Sequence, residues 1–291
     1  MQRYIALQKI LELGSFSKAA EAIFCTQSAI SQMISSLESE LGITLLRRNR
    51  NGVQLTKEGE ELYPFIERAI LQYRAMQEKA DEIKGLETGI IRVGTISSIT
   101  CHWMPKLIKG FQERYPKVQF LFHQGDYMLI PEWIKTGEVD FGFISTDFVS
   151  DLEMIPVQKG EMLAVLPENH KYAKRKKVPL EVLTKEPFIL LEEGQFSEPL
   201  EAFRKENLSP QIKYTVHDDY AIMTMVEAGL GVSILAELMT RRTNFAIACR
   251  HLDPPVFRSL GVAFKDKNAL PIASKYFIEY LLEVAGHGGL D

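Results

Sequence analysis

Thr26-Gln27-Ser28-Ala29-Ile30-Ser31-Gln32-Met33-Ile34-Ser35-Ser36-Leu37-Glu38-Ser39-Glu40-Leu41-Gly42 is one helix with two surfaces. Ile30, Ile34, Leu37 and Leu41 recur at four, three and four, which predicts a buried stripe, with Thr26 as N-cap and Gly42 as stop. The opposite face carries Gln27, Ser28, Ser31, Gln32 and Ser35, all short, uncharged and able to donate and accept hydrogen bonds. Such a face fits a DNA major groove, where Gln pairs with adenine edges and Ser with several partners. Upstream, Tyr4, Leu7, Ile10, Leu11 and Leu13 predict a first amphipathic helix that Gly14 stops. Ser15 and Ser17 offer cap oxygens to a short second helix over 18–23, and Phe24-Cys25 makes the turn into the third. Downstream, Leu45-Leu46-Arg47-Arg48, Asn49-Arg50-Asn51-Gly52 and Val53-Gln54-Leu55 read as two strands around an Asn-Gly hairpin. Three arginines crowd this wing, where they would meet phosphates or an adjacent minor groove.

Charge follows the same division. Residues 1–57 hold 7 Lys/Arg and 4 Asp/Glu, whereas 58–87 hold 4 and 8. The whole chain of 291 residues carries a formal net charge of -4, so any contact with a polyanion is local to the mildly basic head. The length suits about two domains, and 46% hydrophobic with 25% charged residues is globular composition. Cys25, Cys101 and Cys249 stand far apart without a CxxC, so neither a disulfide framework nor a zinc site is expected. The start Met1-Gln2-Arg3-Tyr4 lacks the apolar run of a signal peptide and no uncharged stretch could span a bilayer, which points to a cytoplasmic protein without membrane contact.

From Leu62 the series Leu62, Ile66, Ala69, Tyr73, Met76, Ala80, Ile83 alternates fours and threes, a seam on a helix capped by Thr56. A helix of that length is too long for a compact domain to cover, so the seam predicts pairing of two chains. Pro64 should kink or restart it. Two recognition helices would then read a pseudo-palindromic site.

After a hinge at Gly85-Leu86-Glu87-Thr88-Gly89, strand-like and helical runs alternate: strands over 90–93, 118–123 and 141–144, helices near 100–114 and 129–135. A second series has strands over 162–166, 188–191, 213–216 and 232–235 and a helix over 219–228, and strand 260–264 and a helix near 272–284 end the chain. The pattern predicts parallel α/β layers. In such sheets ligands sit beyond the C-terminal strand ends, near helix N-termini. Ser97, Ser98 and Thr100 follow the first strand of the body, and Ser145 and Thr146 follow the third. With His102, His170, His217 and Asp219 they form the expected pocket lining, suited to a small anionic or polar metabolite. Cys101, near a helix start, is a candidate thiolate. No GxxxxGK[ST], GxSxG, HExxH or GxGxxG occurs, and Glu192-Glu193 reads as a solvated loop pair, so no enzyme, cofactor or metal is expected. The rival reading, an enzymatic or solute-binding α/β body with an incidental helical head, differs in showing no salt-dependent binding to duplex DNA.

Gly14-Ser15-Phe16-Ser17-Lys18-Ala19-Ala20-Glu21, Thr26 to Gln32, Leu37 to Gly42 and Gly52-Val53-Gln54-Leu55-Thr56 together resemble the signature of LysR-type transcriptional regulators over nearly all of residues 1–60. The resemblance implies a winged helix-turn-helix over 1–57, a dimerising linker helix and hinge over 58–87, and an effector-binding domain over 88–291. Looser markers, Ile91-Arg92-Val93-Gly94, Met104-Pro105, Gly137 to Gly142, Leu166 to His170 and Gly229 to Leu235, are similar to that family's two-lobed body, itself like periplasmic solute-binding proteins. It implies lobe I over 88–166 and 265–291 and lobe II over 167–264. The implied DNA contacts are Ser17, Thr26, Gln27, Ser28, Ser31, Gln32 and Ser35, with Arg48 and Arg50 from the wing. Position 32 is often basic in relatives, and the position of Asn51 is often Arg or Lys, with Arg50 substituting here. A homodimer or homotetramer on double-stranded DNA, answering to a small-molecule effector and engaging RNA polymerase, is the implied assembly.

Overall fold

The computed structural model describes residues 1–49, 52–83, 89–148, 151–194, 196–241 and 244–290. Arg50, Asn51 and the hinge residues 85–88 lie outside the described residues, and so does the Arg48 side chain. The chain divides into two compact units, Met1–Ile83 and Lys84–Asp291.

In the first unit α1 (Gln2–Leu13) ends at Gly14, whose φ of 63° is the left-handed stop that glycine adopts without strain. α2 (Phe16–Ala22) starts at Ser15, which accepts from the Lys18 amide. α3 (Gln27–Leu41) starts at Thr26, whose hydroxyl accepts from the Ala29 amide at 3.2 Å, and stops at Gly42. Ile30, Ile34 and Leu37 are buried against Leu7, Ile10, Ala19 and Leu45, so the stripe anticipated on this helix is the core of the unit. β1 (Leu46–Asn49) and β2 (Gly52–Leu55) form the wing, with Asn49 opposite Gly52. Gly52 belongs to β2, and the rest of the expected Asn-Gly turn lies outside the described residues.

Glu38, on α3, fastens helix to wing. Its Oε1 accepts from the amides of Leu45 at 2.7 Å and Leu46 at 3.1 Å. α4 (Lys57–Ile83) begins on Thr56, whose hydroxyl accepts from the Gly59 amide at 2.9 Å. A Cβ at Gly59 would lie 2.4 Å from the Leu45 carbonyl, so only glycine allows this approach. α4 runs through Pro64 as one helix, without the restart expected there. The expected seam also divides. Ile66 and Ile70 are buried in the core of this unit, whereas Phe65 and Met76 are 62% and 59% exposed. The first turns of the linker helix thus finish the head and claim Ile66 from the seam, while Met76 of the same seam stays exposed further along the helix.

In the second unit, β3 (Gly89–Thr95), α5 (Ser97–His102), α6 (Met104–Arg114), β4 (Val118–Gln124), α7 (Leu129–Thr136) and β5 (Phe141–Ser145) build a first lobe. β6 (Glu153–Pro167) then leads through β7 (Lys177–Pro179), α8 (Leu180–Leu183), β8 (Pro187–Leu191), α9 (Glu198–Lys205), β9 (Gln211–Val216), α10 (Asp219–Glu227), β10 (Ser233–Ala236) and α11 (Glu237–Thr240). β11 (Ile247–Phe264) returns, and α12 (Ile272–Gly286) ends the fold. The main sheet is mixed: β3 is parallel to β4 and β5, whereas β6 and β11 pair antiparallel with each other, β11 with β5 and β6 with β10. β8 and β9 form a separate parallel pair. The expectation of parallel layers holds for the βα runs and fails for the two long strands.

Those strands belong to both lobes. Leu260, Val262 and Phe264 pack with Phe111, Phe141 and Phe277 in the first core, while Met162, Ala164, Leu166, Ala248 and Leu252 pack with Phe188 and Phe203 in the second. The lobe boundaries expected after 166 and 264 lie at the ends of these strands, whereas the change from one core to the other falls within each of them. Asp253-Pro254-Pro255 hid the first part of β11 from the periodicity. The pairing with β6 is interrupted between His251 and Val256, which leaves Pro254 and Pro255 without a ladder partner there, while Asp253 pairs with Pro179 of β7.

Glu38→Ala should remove two bonds from backbone amides to a carboxylate, at a cost of about 2 kcal/mol. Amide exchange at Leu45 and Leu46 should accelerate accordingly, and unchanged protection there would rule out the fastening role.

Candidate functional site

On the head, Ser28, Gln32 and Ser35 are exposed on α3 and Ser31 is half-buried. Thr26, Gln27 and Ser17 are exposed beside them, and the Ser17 hydroxyl bonds Gln27 Oε1 at 3.2 Å. Thr26 and Ser28 share a hydroxyl contact of 2.9 Å. The first turn of α3 is therefore a connected polar surface with the Gln27 amide oriented by the preceding helix. Arg47 is exposed on the wing.

In the body, a cavity of about 220 Å³ opens between the lobes. Ser97, Ser98, Gln124 and Asp126 line it from the first lobe, Glu192, Glu193, His217 and Asp219 from the second, and Arg258 of β11 closes it. Ser97, Ser98, His217 and Asp219 thus sit where the sequence reading put them. The others do not. The Thr100 hydroxyl lies on the Ile96 carbonyl and Thr95, as a helix side chain that back-bonds its own turn. Ser145 is buried beside Glu198 and accepts from the Asp147 amide, and Thr146 bonds the Ser259 carbonyl. His170 pairs with Glu186 and lines a separate recess with Lys171 and Lys174. His102 lies in the last turn of α5 and does not line the cavity.

The central group went unread. Arg258 is only 5% exposed; its Nη2 donates to Ser98 Oγ at 2.8 Å, and its Nη1 lies 3.7 Å from Glu193 Oε1. Tyr127, fully buried, donates to Glu198 Oε1 at 3.3 Å. One cation thus faces the carboxyl groups of Glu193, Glu198 and Asp219, all buried. Burial pushes Glu193 up to about 8, against the pull of Arg258 and with Glu198, Asp219 and Asp126 adding to the rise. Burial likewise raises Glu198 and Asp219. Adjacent acids after a strand look solvated in a sequence, and only the packed lobes show that Glu193 is not. The signal available was an arginine two residues before the apolar run that begins at Leu260.

Cys101 is the fifth residue of a six-residue helix and so lies near its C-terminal end, and burial together with Asp219 and Asp218 raises its thiol. The lowered thiolate considered for it is overturned. All three cysteines are free. Among the described residues no helix is long and apolar enough to cross a membrane, and no cluster of His, Cys, Asp and Glu could hold a metal ion.

A winged helix-turn-helix on a two-lobed body with a polar cleft defines a ligand-responsive DNA-binding protein. Residues 1–60 match the family of bacterial regulatory helix-turn-helix proteins of the lysR type, and residues 84–286 match the LysR substrate binding domain. The chain belongs to the LysR family of transcriptional regulators. It is 33% identical over 281 residues, 96% of each chain, to the HTH-type transcriptional regulator YvbU of Bacillus subtilis (strain 168). A full-length, singly substituted OxyR of Pseudomonas aeruginosa shares its fold with a TM-score of 0.75 at 24% identity, covering 97% of this chain and 92% of that one. Full-length CbnR in complex with its target DNA gives 0.67 at 18% identity, covering 97% and 98%.

Because the native Glu193 carboxyl holds its proton to about 8 while an unfolded one releases it near 4.5, its contribution to stability is lost as pH rises through that window. Glu193→Gln cannot ionise and should flatten this part of the pH–stability curve in urea titrations; an identical slope in both proteins would refute the buried carboxylic acid.

Proposed function

We propose that this regulator reads DNA through the first turn of α3 and takes its effector in the cleft closed by Arg258. The observation that carries the first half is the connected surface of Ser17, Thr26, Gln27 and Ser28 at the start of a helix whose other side is the core. A glutamine held by a neighbouring hydroxyl has fewer rotamers to lose on meeting an adenine edge. Ser31, Gln32 and Ser35 continue the same face, and the wing arginines 47, 48 and 50 supply phosphate contacts that position without specifying. The exposed Phe65 and Met76 on α4 support pairing of two chains along that helix, which gives two recognition helices and a pseudo-palindromic site.

For the second half, the cleft joins groups from both lobes at the strands that run through them, so a molecule bound there has different contacts when the lobes move. Only such differential affinity shifts a two-state equilibrium. The chain passes once between the two units, through residues 84–88, and that segment carries the shift to the head.

Gln27→Ala should weaken binding to genomic fragments retained by the protein by roughly 1 to 3 kcal/mol and leave binding to random duplex nearly unchanged. Equal losses on both DNAs, measured at one salt concentration, would remove Gln27 from base reading.

A further inference from the structure

We infer that the effector of this cleft is a small organic cation, an amine or guanidine, in place of the anion that its serines suggest; the inference rests on the cleft being the effector site. The cavity wall carries the carboxyl groups of Asp126, Glu192, Glu193 and Asp219 against one cation, Arg258. That cation is already committed, to Ser98 at 2.8 Å and to Glu193. The guanidinium thus directs both of its terminal nitrogens to groups of the wall, while the Ser98 hydroxyl, an acceptor in this bond, keeps its own proton to donate.

Asp219 supplies the second observation. It is 7% exposed, lines the cavity, and among the described residues no side chain hydrogen-bonds its carboxylate, which accepts only from its own backbone amide. A carboxyl group left this way at the cavity wall is an acceptor open to a donor that enters the cavity. Its neighbour Asp218, whose carboxylate caps α10 by accepting from the Ala221 amide at 2.8 Å, adds negative charge at the same helix start. An ammonium or guanidinium entering the cleft would let these buried carboxyl groups ionise and would donate to them, whereas an incoming carboxylate would find only Arg258 to balance it.

A metal ion is a poorer occupant, since no set of described residues converges to ligate one. At about 220 Å³ the cavity has the volume of roughly seven waters, which limits the ligand to a small molecule. Ile96, Leu129 and Leu191 in the same wall suit a short hydrocarbon body behind the charged end.

The test uses the full chain with putrescine, cadaverine, agmatine and n-butylamine, and with the dicarboxylates succinate and adipate, by calorimetry and thermal unfolding. At least one amine should bind saturably and raise the melting midpoint, and Asp219→Asn should weaken that binding at least about tenfold. Binding of a dicarboxylate instead, no binding by any amine, or unchanged amine affinity in Asp219→Asn overturns the cationic assignment. Ser97→Trp, which fills the cleft, separates this from the reading beneath it. If Ser97→Trp abolishes the regulatory response in a reporter strain while no amine binds, the cleft stands as effector site and the charge class falls. If the response survives Ser97→Trp, the site itself is wrong.

Discussion

Burying the Arg258 guanidinium removes it from water, a cost that only charged or hydrogen-bonding neighbours in good geometry can offset. The body is arranged around meeting that demand. Ser98 reaches the guanidinium from the start of α5 and Glu193 from the end of β8, so the two lobes are tied through a residue on a strand that serves both. With Glu198 and Asp219 also buried nearby, carboxyl groups outnumber the cation, and burial holds their protons on to higher pH. Such a cluster is a weak source of net stability. It is sensitive to any charge or lobe displacement that alters its balance, and this makes it suited to sensing.

The head solves a different problem. A recognition helix has to be rigid on one side and chemically free on the other. α3 achieves this with a core stripe of Ile30, Ile34 and Leu37, a Thr26 cap, and Glu38 spanning to the wing, so each polar group of its first turn is left to the outer surface. The start of α4 completes the same core through Ile66 and Ile70, which makes the linker part of the head and not a detachable rod.

What could be read in the sequence was what local rules determine. Caps at Ser15, Thr26 and Thr56 and the stops at Gly14 and Gly42 follow from side-chain and backbone chemistry within a few residues, and the helices begin and end there. Ser97, Ser98 and Asp219 were accessible because they sit at helix starts next to strand ends. Periodicity misled where burial depends on distant partners: it put Ile66 in an intermolecular seam although the head core claims it, and it treated Glu192-Glu193 as solvated. Thr100, Ser145, Thr146 and His170 shared the residue types of a pocket but are occupied by backbone or by Glu186 and Glu198. Arg258 was missed because its one local signal, a place two residues before the apolar run at Leu260, does not show which partners will bury it.

The role given to that arginine is tested most directly by Arg258→Met, with the unfolding free energy of the full chain measured in urea near pH 5 and near pH 8. If Arg258 is what allows the buried Glu193 carboxyl to ionise, the substitution should cost about 3–5 kcal/mol near pH 8, where that carboxyl begins to give up its proton under the cation's pull, and clearly less near pH 5, where it stays protonated with or without Arg258. A loss of the same size at both values, or none at either, would contradict it.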